Sequence, residues 1–307
     1  MWTYNGAAAA LRDVLRLSAA MTLKAAAADL PLGGGKGVIM LPAGEQVSAR
    51  RRRDALRDFG ETVDALDGRY ITAEDVGTSA RDMLAIAERT THVSGLSRAQ
   101  GGSGDPSPWT ALGVDEAIRA TCERVFGSAS LRGRSIAVVG LGHVGARLAA
   151  RCAKGGARLV VADVDETKRT LADQLGAIWT TPEEALTAEV DLVAPCALGG
   201  VLDDESVPRL RCPAVAGAAN NQLADDHVAD LLRDRGILWA PDFVVNAGGI
   251  INISVELEPE GYDPRRARER VRGLGDTIRG VFDEAASAST TPLEAAKTLA
   301  GRRLRAA

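Results

Sequence analysis

Two glycine clusters, two lysines and a few carboxylates carry the residue types best able to do chemistry in this chain. The first cluster is "LPLGGGKGVIM", residues 30–40, where three glycines run into Lys36. A phosphate-binding loop of the G-x-x-x-x-G-K-[ST] kind needs a hydroxyl after its lysine to reach magnesium. Gly37 stands there instead, and no glycine occupies the required upstream offset. What remains is a lysine on glycine-rich backbone beside apolar neighbours. Desolvation disfavours its ammonium form, and a second lysine nearby would disfavour it further. Such an amine can fall from ~10.4 toward ~7–8 and act as a general acid or base near neutrality.

Lys24 is the natural second lysine. It follows Val14, Leu17 and Met21 at helical spacing, so it continues an apolar stripe. Such a lysine either snorkels from a core edge or holds an anion in a low-dielectric cleft. Asp75, in "GRYITAEDVGTSARDM", has the residue type of an acid/base partner, although on its own it reads more readily as a helix cap or turn aspartate.

The second cluster, "VVGLGHVG", sets Gly140, Gly142 and Gly145 in G-x-G-x-x-G spacing after an apolar run and before a helical one. The first glycine permits a tight turn, the second lets backbone approach a pyrophosphate, and the third lets helix and strand pack closely. A second apolar run, "RLVVAD", ends at Asp163, 23 residues after Gly140. A carboxylate there accepts hydrogen bonds from ribose hydroxyls. With Asp165 beside it, it repels a 2′-phosphate, so the expected cofactor is NAD rather than NADP.

The elements that must position these groups follow from periodicity. Residues 6–28 predict a helix, 36–40 a short strand, 47–66 a helix with a solvated basic face, and 68–83 a strand, acidic turn and helix. The stretch "RAQGGSGDPSPWTALG" (98–113) is the best domain boundary, and a helix is expected over about 113–126. Beyond it, solid apolar runs at 135–165, 191–197, 213–219 and 236–242 alternate with helical stretches, which indicates a parallel sheet covered on both faces. From about 263 the chain reads as helical and charged, with a break near Thr291-Pro292.

The bulk numbers agree with a globular α/β protein of two domains. The chain has 307 residues, 46% hydrophobic and 25% charged, with a net charge of −4. That charge and a pI near 5.6 argue against a nucleic-acid or polyanion partner. No apolar run approaches membrane-spanning length, and the N-terminus lacks the order of a signal peptide. Cys122, Cys152, Cys196 and Cys212 form no CxxC pair, and only three histidines exist, so no metal site is expected and a reducing cytoplasm is the natural home.

Taken together, "MTLKAAAADLPLGGGKGVI" (21–39), "GRYITAEDVGT" (68–78), "GDPSPWTALGV" (104–114), "APCALGG" (194–200), "AGAANNQL" (216–223) and "PDFVVNAGGIIN" (241–252) resemble the glutamate/leucine/phenylalanine/valine dehydrogenase superfamily, nearest its leucine, valine and phenylalanine branch. The resemblance is collinear from Met1 to about Arg303. It implies reversible oxidative deamination of an L-amino acid to a 2-oxo acid and ammonia, with NAD as hydride acceptor, in a homo-oligomer. It implies two α/β domains about a cleft: a substrate and oligomerisation domain at 1–105, to which 288–307 returns, and a doubly wound Rossmann domain at 106–287. Closure about the two linking strands would expel water and lower the pKa of Lys36.

Carried over residue by residue, the resemblance makes Lys24 the lysine that binds the substrate carboxylate. Lys36 becomes the catalytic lysine that activates water, Asp75 its acid/base partner, and Asn246 the residue whose backbone carbonyl positions the amine. Thr110 would contact the nicotinamide carboxamide. His143 and Val144 of the glycine loop, Cys196, Ala197, Asn221 and Asn246 would also line the cofactor site. Ala73, Ile250 and Ile253 would line the side-chain pocket, whose two isoleucines favour leucine or valine over phenylalanine, with glutamate least suited. Family members carry a few tens of residues ahead of "MWTYN", so a further upstream segment is expected. A shortened, non-catalytic NAD-binding paralogue is the alternative.

Overall fold

The computed structural model describes residues 1–41, 44 and 47–306. Its N-terminal part places β1 (Trp2–Thr3) parallel to β2 (Met40–Leu41), with the long helix α1 (Ala7–Ala27) between them in sequence. Helices α2 (Ala49–Asp64) and α3 (Ala80–Ala87) follow, each started by a serine whose hydroxyl accepts a backbone N–H. They pack on a small separate core of Leu56, Met83, Ala85, Ile86 and Val93. The strand expected at 36–40 reduces to Met40 with its neighbour Leu41. The one expected near residue 70 reduces to a single bridge between Thr72 and Val93. In both places the backbone is occupied in carrying a lysine or an aspartate rather than in pairing along a sheet.

Helix α4 (Ser107–Phe126) begins six residues earlier than the sequence suggested, because the Pro106–Pro108 stretch starts it rather than preceding it. Proline at the first helical turn has no amide that needs an intrahelical partner, and its φ is already helical. A six-stranded parallel sheet comes next. It is built from β3 (Ser135–Val139), β4 (Arg158–Ala162), β5 (Ile178–Trp179), β6 (Leu192–Pro195), β7 (Ala214–Val215) and β8 (Leu238–Trp239). The order is β5-β4-β3-β6-β7-β8. The sheet is thus a doubly wound 3-2-1-4-5-6 arrangement counted from β3, and the crevice lies where the order reverses, between β3 and β6. Ile136, Val138, Leu159, Val161 and Leu192 are buried on it, which is why these strands read as unbroken apolar runs. Each such side chain contributes roughly 1.5–3 kcal/mol through burial.

Helices α5 (Gly145–Lys154), α6 (Arg169–Leu175), α7 (Pro182–Leu186) and α8 (Val228–Asp234) connect the strands. The short α9 (Asp242–Val245) leads into α10 (Gly248–Glu256). The tail folds as α11 (Pro264–Arg272), α12 (Leu274–Ser287) and α13 (Pro292–Ala306), the last starting at the expected break. α12 packs along α4, while α13 packs along both α12 and α1. Arg303 on α13 donates to the carbonyls of Ala26 and Ala27 at 3.3 and 2.6 Å, so it caps the last turn of α1.

Candidate active site

The GGGKG loop owes its glycines to packing. A Cβ on Gly34 would lie 2.1 Å from Thr22 Oγ1 and 2.2 Å from the Ser18 carbonyl. On Gly35 it would meet the Tyr70 ring at 2.7 Å, and on Gly37 the Phe59 ring at 2.6 Å. The loop therefore lies flush between α1 and two aromatic rings, which fixes where Lys36 leaves the backbone. Its Nζ forms an ion pair with Asp75, 39 residues on.

Asp75 is itself held by its surroundings. Its Oδ1 accepts the Val76 N–H at 2.8 Å, and its backbone N–H donates to Thr78 Oγ1 at 3.0 Å. Burial acts to raise this carboxyl, but the Lys36 ammonium and its hydrogen bond carry it below the usual carboxylate range. The Lys36 side chain is 21% exposed and that of Asp75 56%, so the pair opens to solvent on the carboxylate side.

Lys24, on the last turns of α1, crosses to the sheet half of the molecule. Its Nζ donates to Asn220 Oδ1 at 2.9 Å, and Asn246 Nδ2 donates to the same oxygen at 2.9 Å. Asn220 follows β7 and Asn246 follows α9, so both stand beyond the carboxyl ends of the strands. Burial pulls the Lys24 amine down to about 8, opposed by Asp242 and assisted by Lys36. Lys24, Lys36, Asp75 and Asp242 thus share one electrostatic field.

Asp242 is buried, and burial raises its carboxyl despite the Gln222 N–H that it accepts at 2.6 Å. Gln222 donates in turn to the carbonyls of Gly217 and Ala219, and its Oε1 accepts the Trp239 indole N–H at 3.1 Å. This buried network braces the loop that presents Asn220. Asn220, Gln222 and Asp242 were not singled out from the sequence. The signal was the polar triplet Asn220–Asn221–Gln222 directly after the apolar run at 213–219. Asn246 Oδ1 is buried with no hydrogen-bond partner among the described residues, which leaves an acceptor free at the crevice.

The second glycine cluster builds the other wall. Gly140 has φ +103°, and a Cβ on Gly145 would fall 1.9 Å from the Gly140 carbonyl, while nothing lies within 4 Å of one on Gly142. The loop is thus tight at its two ends and open in the middle, as a pyrophosphate at the N-terminus of α5 requires. His143 is exposed in it, and Val144 caps α5. Asp163 follows β4; its Oδ2 accepts the Leu141 N–H at 2.6 Å and its Oδ1 the Asp165 N–H at 2.9 Å.

Cys196 and Ala197 follow β6 and press against the Gly140 turn. The Asn221 carbonyl accepts the Gly200 N–H at 2.7 Å, which ties the next two loops together. Thr110 lies on α4 where α10 comes closest: a Cβ on Gly249 would be 2.8 Å from its Oγ1, and one on Gly248 2.2 Å from the Trp109 carbonyl. Those two glycines let α10 approach α4, and they set Ile250 and Ile253 beside that contact. Ala73, Ile250 and Ile253 are each half-buried.

A doubly wound sheet with an open glycine loop at its switch point, facing a lysine–carboxylate pair and a half-buried lysine, defines a dinucleotide-dependent oxidoreductase. The chain matches the family model described as Glu/Leu/Phe/Val dehydrogenase, dimerisation domain, over residues 4–92, and that described as Glutamate/Leucine/Phenylalanine/Valine dehydrogenase over 160–307. It is 45% identical over 285 residues to leucine dehydrogenase of Thermoactinomyces intermedius, covering 92% of this chain and 76% of that protein. It is 38% identical over 318 residues to phenylalanine dehydrogenase of Lysinibacillus sphaericus, covering 99% and 81%. The crystal structure of L-tryptophan dehydrogenase from Nostoc punctiforme superposes with a TM-score of 0.85 at 38% identity, covering 98% of this chain and 85% of that one. The chain belongs to the Glu/Leu/Phe/Val dehydrogenase family. It is an amino-acid dehydrogenase, an oxidoreductase acting on CH–NH2 with a nicotinamide cofactor. A tryptophan-directed relative was not foreseen from the sequence.

Proposed function

We propose that this enzyme catalyses NAD-dependent oxidative deamination of branched-chain aliphatic L-amino acids, leucine or valine, to the 2-oxo acid and ammonia, reversibly. The observation that carries the reading is the ion pair of Lys36 with Asp75 in the field of a second, half-buried lysine at the carboxyl edge of the sheet. The Lys24 ammonium holds the substrate carboxylate, in place of the amide oxygen it meets here. The substrate ammonium displaces Lys36 from Asp75, Asp75 takes a proton from it, and the Asn246 backbone carbonyl orients the resulting amine. A nicotinamide bound at the crevice would supply the hydride acceptor for Cα. Lys36, released from its carboxylate, gives its proton to solvent, and the neutral amine takes a proton from the water that attacks the imine carbon. Asp75 then returns its proton to the departing nitrogen. A base and an acid with separated proton affinities supply both halves of this transfer.

NAD is favoured over NADP because the Asp163 carboxylate, with Asp165 near, faces the position of a 2′-phosphate. His143, Val144, Thr110, Cys196, Ala197 and Asn221 complete that cofactor site. The domain division is residues 1–105 with 288–307 against 106–287; the docking of α13 on α1 supports the return of the tail. Leu11 and Leu15, 58% and 61% exposed along α1 within the segment matched to a dimerisation domain, support a homo-oligomer. Four free cysteines fit a reducing cytoplasm.

Ala73, Ile250 and Ile253 would line a narrow apolar pocket, in which each methylene is worth ~1–3 kcal/mol, so branched aliphatic substrates are separated only weakly from one another. The test is kcat/KM for leucine, valine, phenylalanine, tryptophan and glutamate, each with NAD and NADP. Leucine or valine with NAD should lead the series; an aromatic substrate in first place would overturn the pocket assignment.

A further inference from the structure

A cavity of about 810 Å³ lies away from the cleft, between the segment that links α3 to α4 and the helices α4, α5 and α11. Its wall carries six cations: Arg98, Arg119, Arg151, Lys154, Arg268 and Arg272. Three carboxylates offset them in part. Asp115 is buried and is held by Arg119 at 3.3 Å and Arg151 at 3.0 Å. Asp105 turns to Arg147 at 3.2 Å, and Glu116 stands 3.8 Å from Arg272. Glu256 also stands beside the wall, its Oε2 accepting the Ser103 N–H at 2.8 Å, so six positive charges against four negative leave about two in excess. Lys154 and Arg268 meet no carboxylate among the described residues. On the same wall Ser103 is 1% exposed, and its hydroxyl has no hydrogen-bond partner among the described residues.

We propose that this cavity is a binding site for a small phosphate-bearing anion of at least two negative charges, held by Lys154, Arg268 and Arg272 and reached by the Ser103 hydroxyl. Guanidinium forks match phosphate oxygens, and Lys154 supplies a point charge beside them. The volume lies in the range of small-molecule sites, and Trp109 and Leu112 provide an apolar floor. The site is separate from the glycine loop: that loop sits at the N-terminus of α5, whereas Lys154 ends the helix, about 15 Å away at 1.5 Å per residue. Basic residues in the last turn of α5 complement its dipole. That role accounts for Arg151 and Lys154, but not for the convergence of Arg268 and Arg272 from α11.

The test is calorimetric titration of inorganic pyrophosphate into the NADH-saturated full chain at low ionic strength, with ADP titrated in parallel. One pyrophosphate should bind per chain, more weakly as salt is added. The double variant Lys154→Glu/Arg268→Glu should weaken it by at least about tenfold while NADH affinity stays unchanged. Because charge reversal can disturb a surface, Lys154→Gln/Arg268→Gln should show a smaller loss in the same direction. ADP binding that competes with pyrophosphate and is lost in the same variants supports the site with a nucleotide as its source. Pyrophosphate binding without ADP competition supports it with an inorganic source. No saturable pyrophosphate binding by the wild type, or equal binding by both double variants, would overturn the proposal.

Discussion

The proposed chemistry rests on two lysines that differ in their surroundings. Lys24 is drawn down to about 8 by burial, from an ordinary 10.5. Below that value its ammonium can hold a carboxylate; above it the neutral amine cannot. The KM for a 2-oxo acid in the reductive direction is therefore expected to rise with pH above about 8, by up to roughly tenfold per unit. Lys24→Arg should abolish that break, because a guanidinium stays charged throughout; a profile identical to that of the wild type would remove Lys24 from the carboxylate site. The same shift enters stability with a definite sign. Between about 8 and 10.5 the unfolded chain binds the extra proton, so this group makes the fold more stable as pH rises through that window. Asp75→Asn should lower kcat by about 10²–10⁴-fold and leave NADH affinity unchanged. The string around Lys36 and Asp75 made their pairing legible in the sequence. Asn220 and Asp242 were not legible, because their roles depend on Lys24, which lies 196 residues before Asn220 and further still before Asp242.

Among the elements, the strands of the main sheet were readable and those of the N-terminal part were not, for one physical reason. β3, β4 and β6 are buried on both faces and need solid apolar runs, which spacing detects. The backbone at 34–37 instead lies against α1, Tyr70 and Phe59 to present Lys36, and its signal is glycine packing rather than periodicity. Gly34→Ala tests this. A methyl group 2.1 Å from Thr22 Oγ1 must push the loop off α1, at about 1–3 kcal/mol, with a parallel fall in kcat as Lys36 moves. Urea unfolding and turnover on the same preparation would measure both, and an unchanged kcat would mean that the loop does not position Lys36. After β4, Asp163→Asn removes the charge and one of the two acceptors that hold the Leu141 and Asp165 N–H groups. NAD should bind more weakly and NADP relatively better; an unchanged ratio would show that the carboxylate does not select the cofactor.

At the scale of the molecule, the two ends of the chain meet. Arg303, near the C-terminus, caps the turn of α1 that carries Lys24, and a hydrogen bond to a charged donor is worth about 1.5–3 kcal/mol. Arg303→Ala should therefore lower the melting temperature and raise the amino-acid KM more than it lowers kcat, with NADH affinity intact. The two-part organisation could be read from the glycine- and proline-rich stretch at 98–113. The closeness of α13 to α1 came from family likeness alone, since nothing in the C-terminal helical pattern names its partner. The most direct measurement is the rate of NADH formation from NAD and saturating leucine by the purified chain beside its Lys36→Ala variant. The wild type should turn over, and the variant should be slower by at least about 10²-fold with unchanged NADH binding. Equal rates in the two proteins would contradict the assignment of Lys36 and the mechanism built on it.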